Sequence, residues 1–177
     1  MTAEEIYESV TNGGTSDFAA VARILQRHGG WCLIGGLAVN CYVEPVYTVD
    51  ADIVVATEHL SAIADELRAA GFGIQQFEHS LNARKAAGQL NIQFTQDERY
   101  QKFIARAQPR QVLGQSVPVA DLQDIVQGKV WAWSDEARRP TKRKKDELDL
   151  MRIAEAHPQL RHLIPNDIVS QLGGRGT

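Results

Sequence analysis

The four-residue apolar run Trp31-Cys32-Leu33-Ile34 stops at Gly35-Gly36, and a second apolar stretch, Leu37 to Tyr42, follows at once. A run that short has the length of a strand, and two glycines in its path let the backbone turn sharply and pass close to a neighbour. Leu37 to Tyr42 then reads as a short helix, closed by Pro45. A strand feeding a helix through Gly-Gly commits this part of the chain to an α/β unit. The helix start offers unpaired N–H groups that suit an anion, and an ordinary strand-to-helix turn has the same sequence. Neither G-x-G-x-x-G nor G-x-x-x-x-G-K-[ST] occurs, which disfavours dinucleotide binding and a P-loop.

The rest of the pattern extends this unit. Phe18, Val21, Ala22 and Leu25 share one helical face, with Asp17 as a candidate cap and Gly29-Gly30 as the stop. Thr48 to Ala56 reads as a strand. Thr57 is placed to cap a helix carrying Leu60, Ile63, Ala64 and Leu67 on one face. Phe72–Phe77 and Leu90–Thr95 are further strands, with a weaker one between Ser80 and Gln89. Glu98–Ala107 reads as a short helix, and Val112 and Val117 flank Gly114 as a hairpin. From Asp121 the chain turns helical, with a long helix over Thr141–Ala156 and a tail, Gly173–Thr177, expected to fray. The expected class is α/β (α+β): a small mixed sheet flanked by helices over residues 1–120, and a helical C-terminal segment over 121–177 packed on it.

Two acids stand at the head of an apolar strand in Asp50-Ala51-Asp52-Ile53-Val54-Val55. Strand alternation puts Asp50, Asp52 and Val54 on one face, with the two acidic Cα atoms roughly 7 Å apart. Carboxylates so placed can share one divalent ion or bridge two about 3.5–4 Å apart. Mg²⁺ suits such a site, since it takes one or two carboxylates, waters and substrate phosphates. A solvated strand end accounts for the same two residues, so D-x-D alone leaves both readings open.

Ile34-Gly35-Gly36-Leu37-Ala38-Val39-Asn40 followed by Thr48-Val49-Asp50-Ala51-Asp52-Ile53 resembles the nucleotidyltransferase superfamily. More narrowly, it is similar to the bacterial minimal nucleotidyltransferases and the toxin half of abortive-infection type IV toxin–antitoxin systems. Downstream, the segment from Val117 to Lys129 is similar to that family's lysine-bearing helix. Arg143-Lys144-Lys145-Asp146-Glu147-Leu148-Asp149 is similar to its basic-acidic segment. The likeness spans roughly residues 31–157.

The resemblance implies transfer of a nucleoside monophosphate from a nucleoside triphosphate (NTP) to an acceptor hydroxyl. Asp50 and Asp52 would hold Mg²⁺ or Mn²⁺, and Gly35 and Gly36 the phosphates. Lys129 and Lys145 would neutralise phosphate charge, and Asp146 would orient the acceptor or a lysine. The acceptor would be a protein side chain, a tRNA end or a small molecule, and a cognate antitoxin is a possible partner.

The residues also carry their own readings. Lys129 lies among Val126, Val130 and Trp133, where a lysine either snorkels to water or meets an anion. Gly128 costs about 1 kcal/mol in a helix interior relative to Ala, which makes sense if something packs close there. Arg138, Arg139, Lys142, Arg143, Lys144 and Lys145 put six cations into eight residues, several at the helix end where the macrodipole disfavours them. That run is either a solvated face or a seat for triphosphate or RNA. Asp146 and Asp149 share a helix face, which lets them orient Lys142 or Lys145 or lets one serve as a base, while i,i+3 or i,i+4 surface pairing is the plainer reading for Asp149.

Two departures stand out. The family's third carboxylate belongs on a later strand, and the matching segment here carries Asn91 and Gln93, with Glu78, Asp97 and Asp146 as candidate substitutes. The arginine common before the D-x-D strand is replaced by Val46-Tyr47-Thr48. These departures motivate an alternative: a catalytically impaired nucleotide- or partner-binding module of the same fold.

Composition narrows the remaining classes. The chain has 177 residues, 44% apolar and 23% charged, with a net charge of −3, which excludes disorder, collagen and coiled coil. No apolar run approaches the roughly 20 residues of a membrane span. Cys32 and Cys41 give neither a disulfide framework nor a metal spacing, and read as buried thiols in a reducing cytosol. The acidic opening Met1–Glu5 lacks a secretory signal pattern, so a cytoplasmic location is expected. The five histidines are scattered, and Trp31, Trp131 and Trp133 read as core packing rather than base-stacking groups.

Overall fold

The computed structural model describes residues 2–78 and 80–173. The expected fraying tail beyond Gly173 lies outside the described residues. Helix α1 (Ala3–Val10) is closed by a capping box in which the Thr2 hydroxyl accepts from the Glu5 N–H and the Glu5 carboxylate accepts from the Thr2 N–H. Helix α2 (Gly14–His28) begins ahead of Asp17, with left-handed Gly13 at the cap position. Asp17 is therefore not a cap. It is buried and ion-paired with Lys85 at 3.3 Å.

Strand β1 (Trp31–Ile34) passes directly into α3 (Gly35–Val39), which starts at Gly35 rather than Leu37. Strand β2 (Asp50–Val55) begins at the first acid. A 3₁₀ turn over Thr57–His59 precedes α4 (Leu60–Ala69), so Thr57 lies inside that turn instead of capping the helix. Leu60, Ile63, Ala64 and Leu67 form its buried face, as their spacing requires. Strands β3 (Gly73–Gln76), β4 (Ser80–Arg84) and β5 (Asn91–Thr95) follow, then a 3₁₀ helix over Glu98–Arg106.

The hairpin of β6 (Gln108–Val112) and β7 (Gln115–Val119) turns through Leu113 and Gly114, both at positive φ. Helices α5 (Leu122–Ser134), capped by Asp121, and α6 (Pro140–Ala156) follow. A 3₁₀ turn (Pro158–Leu163), the short α7 (Asn166–Val169) and a last 3₁₀ turn (Ser170–Leu172) complete the described order.

The seven strands form one mixed sheet in the order β3-β4-β5-β2-β1-β7-β6. At its centre β1 pairs antiparallel with β2, and β2 pairs parallel with β5. Ala51, Ile53 and Val55 of β2, Ile92 and Phe94 of β5, and Leu81 and Ala83 of β4 are buried in the core, together with Phe18, Val21 and Leu25 of α2 and Ile63 and Leu67 of α4. The alternate residues of those strands, Asp50, Asp52, Asn91, Gln93, Ser80 and Asn82, are half-buried on the opposite face. Leu150, Ile153 and Ala154 of α6 join the same apolar cluster. Among the described residues no helix is long and apolar enough to cross a membrane.

Candidate active site

The strand register sets the site. Ile34 pairs with Asp52, so the bend at Gly35 falls beside that carboxylate. Gly35 has φ +72°, and a Cβ built on it would lie 2.8 Å from the Cβ of Asp52, closer than carbon atoms pack. Glycine is required here twice over, by conformation and by space. Gly36 is different: its nearest neighbours, on Thr48, would stand at ordinary contact of 3.6 Å or more from an added Cβ.

Asp50 and Asp52 project to the same face of β2, opposite the buried Ala51 and Ile53. Across the parallel pairing Asn91 stands opposite Asp50 and Gln93 opposite Asp52. The strand expected to bear the third acid is thus beside the pair, and both of its facing positions carry amides. The Asn91 amide donates to Asp50 at 3.5 Å.

The two acids have unlike surroundings. The Lys142 ammonium meets the Asp50 carboxylate at 2.5 Å, joining β2 to α6. Burial alone would raise the Asp50 carboxyl, but Lys142, the Asn91 amide and the more distant Lys145 outweigh it and hold it below the usual carboxylate range. For Asp52, burial pushes the carboxyl upward, and Asp50 adds to that rise against the opposing fields of Lys129, Lys142 and Arg138.

A cleft of about 730 Å³ opens over the polar sheet face. Gly35, Asp52, Gln93, Lys129, Arg138 and Asp146 line it, together with the aromatic side chains Tyr100, Phe103 and Trp131. Of the expected site residues, Gly36, Asp50 and Lys145 are not among its lining. Lys145 is exposed on α6 and reaches Asp50 only through its field.

Lys129 meets anions of the chain itself rather than snorkelling to water. Its buried ammonium sits 2.9 Å from Asp146 and 2.7 Å from Asp149. Burial would lower its pKa, but the two carboxylates overcome that and raise it, so the charge is secure. Asp146 also receives Arg138 at 2.7 Å, and Asp149 receives Arg152 at 2.7 Å. Asp146 therefore orients Lys129 and Arg138 rather than Lys142 or Lys145, and Asp149 is buried in the same network instead of forming a surface pair. The expected close packing at Gly128 is present: a Cβ there would lie 2.9 Å from Tyr100. Trp131 is only half-buried. It stacks near-parallel to Phe103 at 5.9 Å between centroids while facing the cleft.

The candidate third acids resolve similarly. Asp97 lines the cleft but pairs with Arg99, Asp146 is held by two cations, and Glu78 is not in the lining. Among the described residues no cluster of three or more His, Cys, Asp or Glu forms a metal cage. The basic run is largely spent within the chain: Arg138 on Asp146, Lys142 on Asp50, Arg143 on the Trp133 carbonyl and Lys144 on Glu147. Arg138, Lys142 and Asp149 gave no local signal of these roles beyond their place in a charged helix, because their partners lie on other segments of the chain or across a turn.

No family model matches the sequence. A search of curated proteins finds no match. Solved structures do match by shape. One is the antibiotic-resistance factor ANT(2'')-Ia in complex with adenylyl-2''-tobramycin, with TM-score 0.59 and 14% identity over 90% of this chain and 98% of that one. Another is a candidate nucleotidyltransferase of H. pylori, with TM-score 0.54 and 15% identity over 92% of this chain and 74% of that one. A third is an antigenic nucleotidyltransferase-like protein from Paracoccidioides brasiliensis, with TM-score 0.52 and 15% identity over 85% and 90% of the two chains. This chain has the nucleotidyltransferase fold. In that fold Gly35, Asp52 and Gln93 line one cleft, with Asp50 and Asn91 paired beside it.

Proposed function

We propose that the chain is a divalent-metal-dependent nucleotidyltransferase that moves a nucleoside monophosphate from an NTP to an acceptor hydroxyl. The observation that carries this reading is the same-face pair Asp50 and Asp52 set against a glycine bend that no other residue fits. The donor chemistry fits a hard divalent ion: two carboxylates are present, and among the described residues no side-chain hydrogen bond or ion pair reaches the Asp52 carboxylate. Asp50 and Asp52 would hold Mg²⁺ or Mn²⁺, which when bound supplies charge neutralisation at the phosphates.

The chain's own residues do the rest. Gly35 keeps the backbone clear of Asp52. The Asp146 and Asp149 clasp holds Lys129 and Arg138 at the cleft, where their positive fields favour a polyphosphate. The acceptor oxygen bonds to the α-phosphorus as the bond to the bridging oxygen breaks, the hydroxyl proton passes to solvent, and pyrophosphate leaves. The cleft volume suits a nucleotide-sized ligand.

The test is incubation with labelled NTPs, Mg²⁺ or Mn²⁺ and cell extract. A labelled acceptor that disappears with Asp50→Ala/Asp52→Ala supports the reading, whether it proves to be protein, tRNA or a small molecule. No labelled acceptor, or labelling unchanged in the double variant, removes it. The amides Asn91 and Gln93 favour a second reading, a module that binds nucleotide without transferring it. Calorimetric binding of metal–nucleotide with no product would select that one.

A further inference from the structure

We propose that Lys142 is a polyphosphate-binding residue that the ligand-free chain holds on Asp50. This inference rests on the metal–nucleotide reading of Asp50 and Asp52. Three observations lead to it. Lys142 is the side chain in ion-pair contact with Asp50, and it comes from α6, far along the chain from β2. It is the cation of the 138–145 run that reaches the β2 acids directly; Arg138 is committed to Asp146 and Lys144 to Glu147. Its side chain remains about one-third exposed, at 35%, so the contact is open to exchange with solvent.

An ammonium and a divalent ion compete for the same carboxylate oxygens. A lysine on Asp50 therefore weakens binding of a bare metal ion. A metal that arrives with a triphosphate changes the balance, because the phosphate oxygens offer the displaced ammonium a new anionic partner on a flexible four-carbon stem. The same side chain then opposes metal alone and favours metal with nucleotide. Lys142 offsets one of the two carboxylate charges until the metal takes its place, which is the physical reason to keep a lysine there.

Lys142→Met separates these effects, with Lys142→Arg as the charge-preserving control. Mn²⁺ binding without nucleotide is read by the loss of the free-ion electron paramagnetic resonance signal. Nucleotide binding is read by calorimetry, using non-hydrolysable analogues of the four ribonucleoside triphosphates with Mn²⁺ present. The expected result for Lys142→Met is roughly threefold to fivefold tighter Mn²⁺ binding, together with about tenfold weaker nucleotide binding. Lys142→Arg should stay near wild type in the nucleotide arm. A purely structural role would move both affinities the same way or neither, and either pattern overturns the proposal. Wild-type protein that binds Mn²⁺ and nucleotide alongside an unresponsive Lys142→Met leaves the site reading standing and removes only the lysine's role. Wild-type protein that binds neither removes both.

Discussion

Two pairs of aspartates stand near the same cleft and are treated in opposite ways. Asp146 and Asp149 are buried on α6, and each is held by two cations: both by Lys129, with Arg138 completing the first and Arg152 the second. Asp50 and Asp52 lie on β2, where, among the described residues, one cation meets Asp50 and none contacts Asp52. The α6 pair is a closed circuit of charge that ties α5 to α6. The β2 pair has one counter-cation for two carboxylates, and Asp52 lines the cleft. Carboxylate spacing, i,i+3 or i,i+2, therefore does not reveal purpose; the supply of counter-charge does.

The strongest test of this contrast is Lys129→Ala. It leaves the α6 acids buried with one arginine each, so stability should fall by about 3 kcal/mol, measured by urea unfolding. A loss below about 0.5 kcal/mol would mean that the network is not closed as described. Next in size is Gly35→Ala, which forces a Cβ into left-handed backbone beside Asp52. A cost of about 1–3 kcal/mol is expected. Gly36→Ala, where the space exists, should cost much less, and equal costs would break the distinction between the two glycines.

Asp52→Asn probes the open pair through pH. Burial raises the folded-state pKa of Asp52, so its contribution to stability is fully present below the ordinary carboxylate pKa and is lost as pH rises through its own raised pKa. The asparagine variant should match wild type near pH 3 and exceed it near pH 8 in denaturant midpoints without metal. Curves that coincide at both ends would show that the charge at Asp52 is already compensated. The smallest effect belongs to Lys145→Ala. That side chain is exposed, so stability should change by no more than about 0.5 kcal/mol, and any loss should appear in nucleotide affinity.

What the sequence discloses follows the range of the forces involved. β1, β2, β5, α4 and α5 announce themselves through apolar periodicity and caps, and the Gly35–Asp52 neighbourhood follows once β1 and β2 pair. The position of Asn91 and Gln93 beside the acids was legible only through the resemblance, which implies a later strand at that place. Helix α1 was not, because Ile6, Tyr7 and Val10 are too few to set a period, even though Thr2 and Glu5 spell its capping box. Asp17 looked like a cap and is an ion-pair partner, a choice settled by Lys85 more than sixty positions away. The charge network was hidden most completely. Lys129, Arg138 and Lys142 each had several acids within plausible reach, and only the packing of α5 on α6, with both helices against α3, selects among them.

The crowding of Gly35 against Asp52 also bears on how such a gene can change over time. No side chain fits at position 35 while the acid is in place, so the two sites are bound to a fixed sequence of events. A lineage that abandons chemistry must first shorten the acid, and only afterwards does the glycine become free to drift. Copies bearing a bulky residue at 35 beside an intact aspartate should therefore be missing from any set of descendants that still fold.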